Sequence, residues 1–266
     1  MSVRPADVPT RELLGVPFAL TDYEGAMDVL DGMIERRERG FACALAVHAL
    51  MVSRHDPEMS AALRAATLRL PDGKPIVWAL NSLGAQLRDR VYGPELMRRY
   101  CLRAGQMGHR VWLYGGATPS ALESLERSLR RDAPGIVIAG AYSPPHRPLS
   151  AEEEGQVCAR MDADRADVVF VGLGAPKQEK WMAQMRPRLE APVLVGVGAA
   201  FDFLAGLKRQ APPWMQSRGL EWAFRLSQEP LRLLPRYLRY NPAFVAAVAR
   251  QYARERRGRS ARQGRR

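Results

Sequence analysis

Residues 167–200 read DVVFVGLGAPKQEKWMAQMRPRLEAPVLVGVGAA. Two short apolar runs, DVVFVGLG (167–174) and PVLVGVGAA (192–200), flank APKQEKWMAQM, which has a helical pattern. Both runs are nearly continuous and rich in valine, as strands buried on both faces are. Strand, glycine-bearing loop, helix and second strand make one unit in which the two strands lie parallel.

The same alternation extends in both directions. FACALAV (41–47), TLRL (67–70), RVWLYGG (110–116) and GIVIAGAYS (135–143) read as strands. Residues 57–66, KPIVWALNSLG (74–84), GPELMRRYCLRAG (93–105) and PSALESLERSLRRD (119–132) read as helices. SAEEEGQVCARMDA (150–163) opens on a serine followed by acids, a helix-start signature. The pattern predicts an α/β fold, a Rossmann-like and largely parallel sheet with helices on both faces. No internal repeat is visible, and no low-complexity segment precedes about residue 254.

The chain has 266 residues, 47% of them apolar, enough for one substantial core. Cys43, Cys101 and Cys158 are odd in number and lack metal-type spacing, which points to a reducing compartment rather than a disulfide framework. Residues 1–12 carry no signal-type apolar region, and no uncharged apolar run reaches the ~18 residues of a membrane span. Charge is uneven. From Lys208 onward there are 15 Lys and Arg against Glu221, Glu229 and Glu255, so the net +12 belongs to the tail and the body is neutral. A basic tail predicts an anionic surface as partner, nucleic acid or phospholipid. The expected organisation is an α/β body at 1–207, a helical basic appendage at 208–253 and a disordered basic tail at 254–266.

Ligands of parallel sheets bind beyond the carboxyl ends of the strands. Four such ends are distinctive here: PDG (71–73), YGG (114–116), GLGAPKQE (172–179) and GVGAAFD (196–202). Gly73, Gly115, Gly116 and Gly174 allow close backbone approach, and the following helix N-termini favour phosphate. Any one loop is equally well plain turn geometry. Four on one edge point to a nucleotide or nucleotide-sugar site. Asp72 is open to two readings, a turn or cap residue or a catalytic base at the sheet's mouth.

The blocks LPDGKPIVWA, RVYGPELM, GLGAPKQEKWM, GVGAAFDFLAG and APPWMQSRGLEWAFRLSQEPLRLLPRYLRYNPAF occur in that order. Together they resemble the WecG/TagA/CpsF family, glycosyltransferase family 26, over about residues 13–246. The resemblance implies inverting transfer of a sugar from a UDP-sugar donor to a polyprenyl-diphosphate-linked saccharide at the cytoplasmic membrane face. It implies no metal and no cofactor, with N-acetylmannosamine, its uronic acid or a glucose-type sugar transferred. Membrane binding linked to self-association, hence a homo-oligomer, is implied too.

By the same resemblance Asp72 is the base that takes the acceptor's proton, and Arg90 a positive group for the leaving diphosphate. Gln178 matches a residue near substrate. Lys177 precedes it, and Glu179 beside it reads either as substrate-binding or as a first-turn acid facing the helix dipole. Asp202 reads as a sugar or ribose ligand or as a helix cap. His48 departs from the family, which usually carries asparagine there, and leaves the donor's identity open.

Arg218, Arg225, Arg232 and Arg239 recur every seven residues. On a helix they would share one side, and with neighbouring leucines they suit an anionic membrane interface. Pro230 and Pro235 are expected to break the segment into two or three short helices. Arg225, Arg232 and Arg236 align with family arginines directed at the active site or lipid diphosphate. Two rival functions remain at this level. A nucleic-acid binder fits the pI of about 10.2, but the tail has no reading motif, so no specific nucleic acid is expected. A nicotinamide oxidoreductase fits VGLGAP and GVGAAF only superficially, since neither loop continues to a third glycine.

Overall fold

A computed structural model describes residues 3–263. The chain starts with a two-stranded antiparallel hairpin, β1 (Thr10–Leu13) and β2 (Val16–Ala19), followed by α1 (Tyr23–Glu35). Strand–helix alternation then runs through β3 (Gly40–Leu45), α2 (Val47–Ser53), α3 (Pro57–Ala65), β4 (Leu68–Pro71), α4 (Lys74–Ser82) and α5 (Gly93–Met107). It continues with β5 (Arg110–Gly115), α6 (Pro119–Asp132), β6 (Val137–Tyr142) and α7 (Ala151–Ala163). The body closes with β7 (Val168–Gly172), α8 (Lys177–Met185), β8 (Val193–Gly196) and α9 (Ala200–Leu204).

Strands β3 to β8 form a six-stranded sheet in the order β4-β3-β8-β7-β5-β6, with every pairing parallel. Side-chain alternation sorts its two faces. Val169 and Val171 of β7 join one core with Met59, Leu80 and Met182, under α3, α4 and α8. Val168 and Phe170 join the other with Leu30, Leu96 and Leu125, under α1, α5 and α6. The continuous valine runs thus reflect a sheet covered on both sides. Ser150 caps α7 in a reciprocal box with Glu153, as the sequence signature predicts.

The appendage comprises α10 (Pro213–Ser217), α11 (Glu221–Gln228) and α12 (Pro230–Gln263). Pro230 separates α11 from α12 as expected, but Pro235 does not break the chain; it and Pro242 lie inside one long helix. Both prolines are exposed, so water can take the carbonyls they free, while buried Leu233, Phe244 and Ala247 hold the helix across them. The helix also runs through residues 254–263, which the sequence reads as disordered; residues 264–266 lie outside the described residues. Gln251 fastens this end to the hairpin, its Oε1 accepting from the Leu14 amide at 2.8 Å and its Nε2 donating to the Glu12 carbonyl at 3.1 Å. Glu255 pairs with Arg11 alongside. The four heptad arginines do not form one stripe, because Arg218 follows α10, Arg225 sits in α11, and only Arg232 and Arg239 share α12. What α12 does present outward is apolar: Leu231, Leu234, Leu238 and Val245, at helical spacing, are all exposed, Leu231 by 94%.

Candidate active site

The carboxyl edge of the sheet carries every distinctive loop. Asp72 follows β4, its amide bonded to the Leu45 carbonyl at 3.0 Å, so β3 holds the residue in place. Gly73, at φ 141°, is the N-cap of α4. That φ suits glycine, and it turns the chain so that Asp72 does not cap the helix. Instead the Asp72 carboxylate faces the start of α5, where the Gly93 amide favours its charged form. Burial raises the Asp72 pKa to about 6, with Glu221 adding to the rise and Arg90 and Arg225 opposing it. A carboxylate so placed is ionised at neutral pH yet basic enough to accept a proton.

Arg90 reaches the same point from the loop before α5. Its Nη2 donates to Glu221 Oε2 at 2.5 Å and to Gln216 Oε1 at 3.3 Å, and its guanidinium lies 4.1 Å from the Tyr92 ring centroid. Burial alone would lower its pKa; the Glu221 and Asp72 carboxylates reverse that and hold it charged. Arg90–Glu221 is a buried ion pair that ties α11 to the body across 131 positions. Sequence reasoning treated Glu221 only as a tail acid, and passed over Tyr92 and Gln216. The GLEW block that contains Glu221 was the available signal.

Two cavities meet at Asp72. The first, about 690 Å³, is lined by the ends of β5, β7 and β8, including Gly116, Gly174, Lys177, Gln178 and Asp202. Lys208, Arg225, Arg232 and Arg236 add positive charge from the appendage. Gln178 is fixed, its Oε1 accepting the Gly198 amide at 2.9 Å. Asp202 pairs with Lys208 at 2.9 Å and is not the cap of α9. Gly115 does not line the cavity. A Cβ there would meet the Gly172 carbonyl oxygen at 2.7 Å, so its role is to let β5 and β7 approach.

Glu179 is corrected by the structure. It is 0% exposed and lines neither cavity. Its Oε1 accepts from Gln178 Nε2 at 2.9 Å, and Oε2 is buried without a partner. Burial raises its pKa to about 7, and its bond to Gln178 Nε2 braces that side chain from within the core.

The second cavity, about 730 Å³, lies between α4, α11 and α12. Its walls are Val47, Trp78, Trp222, Tyr240, Phe244 and Val248, with charge gathered at the Asp72 end. His48 lines this cavity and not the first, its ring edge-on to Tyr240 at 5.1 Å. Burial, assisted by Arg236, lowers the His48 pKa to about 4, which leaves the imidazole neutral at neutral pH. Only Ala46, Asp72, Tyr92, Arg225 and Arg236 belong to both cavities. Arg218 and Arg239 line neither; they lie over Trp214 and Tyr240 on the outside.

Among the described residues, no three His, Cys, Asp or Glu side chains gather as a metal site requires. No described helix is long and apolar enough to cross a membrane.

A parallel α/β sheet with a cationic cavity at its carboxyl edge and a carboxylate at that cavity's inner end defines a group-transfer type of site. The family model described as Glycosyl transferase WecG/TagA/CpsF family matches residues 11–258, and the chain belongs to that family. It is a glycosyltransferase. A relative from Bacillus spizizenii, N-acetylglucosaminyldiphosphoundecaprenol N-acetyl-beta-D-mannosaminyltransferase, is 35% identical over 193 residues, 73% of this chain and 72% of the relative.

Proposed function

We propose that the enzyme transfers N-acetylmannosamine from its UDP-sugar to a polyprenyl-diphosphate-linked saccharide, with inversion and without a metal. The observation that carries the reading is the position of Asp72 where a cationic cavity meets an apolar one. The cationic cavity takes the UDP-sugar, and the acceptor arrives from the other side. Asp72 accepts the proton of the acceptor hydroxyl as that oxygen attacks the anomeric carbon. The bond from that carbon to the UDP oxygen breaks on the opposite face, and the configuration inverts. Negative charge then grows on the diphosphate. Lys177, Arg225, Arg232 and Arg236 supply fixed positive charge around the cavity, and Arg90 holds the base's surroundings in place.

The sugar follows the relative's printed activity. His48 stands on the acceptor side, which separates it from the choice of donor. The apolar face of α12 with Arg232 and Arg239 beside it fits peripheral attachment to the inner face of the cell membrane, where a lipid-linked acceptor is presented. The product is a lipid-linked intermediate of a cell-surface polymer.

The test is UDP release from a panel of UDP-sugars, with and without a polyprenyl-diphosphate N-acetylglucosamine acceptor, in excess EDTA. Acceptor-dependent release with UDP-N-acetylmannosamine is expected. Release with another donor alone would overturn the sugar, and abolition by EDTA would overturn metal independence.

A further inference from the structure

The apolar cavity is larger than an attacking hydroxyl needs, and its polarity is graded. Beyond Asp72 it is walled by Trp78 and Ala79 of α4, Trp222 of α11, and Tyr240, Phe244 and Val248 of α12. Trp78 and Trp222 line the groove and are about half exposed; the Trp78 indole rests against Gly219 and Trp222 stands edge-on to Tyr237, which leaves the rest of each ring open. Of the polar residues along it, Lys74 pairs with Asp89 at 2.8 Å and the Ser82 hydroxyl donates to the Ala79 carbonyl at 2.7 Å. Unsatisfied polar atoms collect at the other end. His48 Nδ1 and Arg236 Nε are buried without partners, in two residues that line the cavity along with Asp72. A ligand that fills this space has a polar head at the Asp72 end and a long apolar body along α4 and α12.

We infer that the groove between α4 and α12 binds the isoprenoid chain of the acceptor, through the units nearest the diphosphate. The enzyme then recognises the lipid itself and not only the saccharide it carries. This rests on the reading of the acceptor as polyprenyl-diphosphate-linked. Branched five-carbon units fit walls built mainly of indole, phenol and phenyl faces and aliphatic side chains. Toward the far end of the groove Val245 and Tyr252 of α12 line it and remain exposed, which leaves an apolar opening through which the rest of a long chain continues into the bilayer.

The test is calorimetric binding of farnesyl diphosphate against inorganic diphosphate on the full chain. Burying a three-unit chain is expected to tighten binding by at least about a hundredfold. Val248→Phe and, at an exposed helical position, Ala249→Trp fill the groove from α12. Each is expected to weaken farnesyl diphosphate by about tenfold, with UDP affinity as the control for folding. Equal affinity for the two diphosphates would overturn the inference. So would unchanged farnesyl diphosphate binding in both folded variants. Tight farnesyl diphosphate binding with no sugar transfer from any UDP-sugar would leave the groove and remove the transferase donor–acceptor reading. Transfer whose KM is the same for a three-unit isoprenoid acceptor and for one with a methyl group in place of the isoprenoid would remove the groove alone.

Discussion

Glu221→Gln probes the electrostatic balance around Asp72, the proposed base. Glu221 acts on Asp72 in two ways. Its charge raises the Asp72 pKa directly, and by pairing with Arg90 it offsets part of the lowering that the guanidinium exerts. Removing that charge while keeping a hydrogen-bonding side chain therefore shifts Asp72 downward on both counts. A nearby charge moves a carboxyl by about 1–3 units, and about one unit is expected here, since Arg225 and the Gly93 amide already stabilise the anion. In kcat/KM against pH, the acid limb marks the free enzyme's base, so it sits near pH 6 in the parent. In the variant it moves to about pH 5. At pH 5 the ionised fraction of the base rises from about one-tenth to about one-half, and activity relative to the plateau rises about fivefold. The plateau itself falls several-fold, because a weaker base accepts the proton less readily. Stability drops by about 1–3 kcal/mol, since Arg90 loses a charged partner but keeps a hydrogen bond. The assay is UDP release across pH 4.5 to 8. An acid limb that stays in place, or moves up, would show that Asp72 is not the group being titrated.

Four further outcomes are expected. Asp72→Asn lowers turnover by about 10²–10⁴ while UDP binding by calorimetry is retained; near-normal turnover removes the base assignment. Glu179→Gln changes the pH dependence of stability. The Glu179 pKa is raised on folding, so its contribution is full below about pH 4.5 and is lost as pH climbs to about 7. The variant is therefore more stable than the parent at pH 8, by roughly 3 kcal/mol at most, and not at pH 4.5; a difference in denaturant midpoint independent of pH counts against the buried-acid account. Combined Leu231→Ser, Leu234→Ser and Leu238→Ser abolishes sedimentation with anionic vesicles and leaves UDP binding intact; retained sedimentation refutes the α12 membrane face. Gln251→Ala costs about 1–2 kcal/mol in chemical denaturation, because two backbone partners in the hairpin lose their hydrogen bonds; an unchanged midpoint shows that the clamp is not structural.

The sheet was readable because its strands are covered on both faces, and that covering leaves continuous runs such as Val168–Val171. The hairpin Thr10–Ala19 has no clear sequence signal, since its strands are four residues each, β1 carries Arg11 and Glu12, and β2 contains Pro17. Helix α2 was hidden for the opposite reason. FACALAV flows into HALMV with no polar break, and Val47 looks like strand until the chain is seen to turn at Ala46. In the site, Asp72, Lys177 and Gln178 were legible through motifs. Glu179 was not placed correctly, because adjacent residues on α8 differ in whether they reach the loops or stop short in the core. The Arg90–Glu221 pair joins residues 131 positions apart, a distance that no local spacing encodes. Pro235 misled because the cost of a helical proline depends on tertiary packing elsewhere on the helix.

The narrow seam between the cavities has a consequence for timing. Among the described residues the two chambers share Ala46, Asp72, Tyr92, Arg225 and Arg236 and otherwise have separate linings, so on the proposed reading donor and acceptor enter from different sides. Neither substrate must wait for the other, and spent UDP can depart while the elongated lipid is still seated. Steady-state kinetics then take a random sequential form, with UDP competing against the sugar nucleotide and not against the lipid.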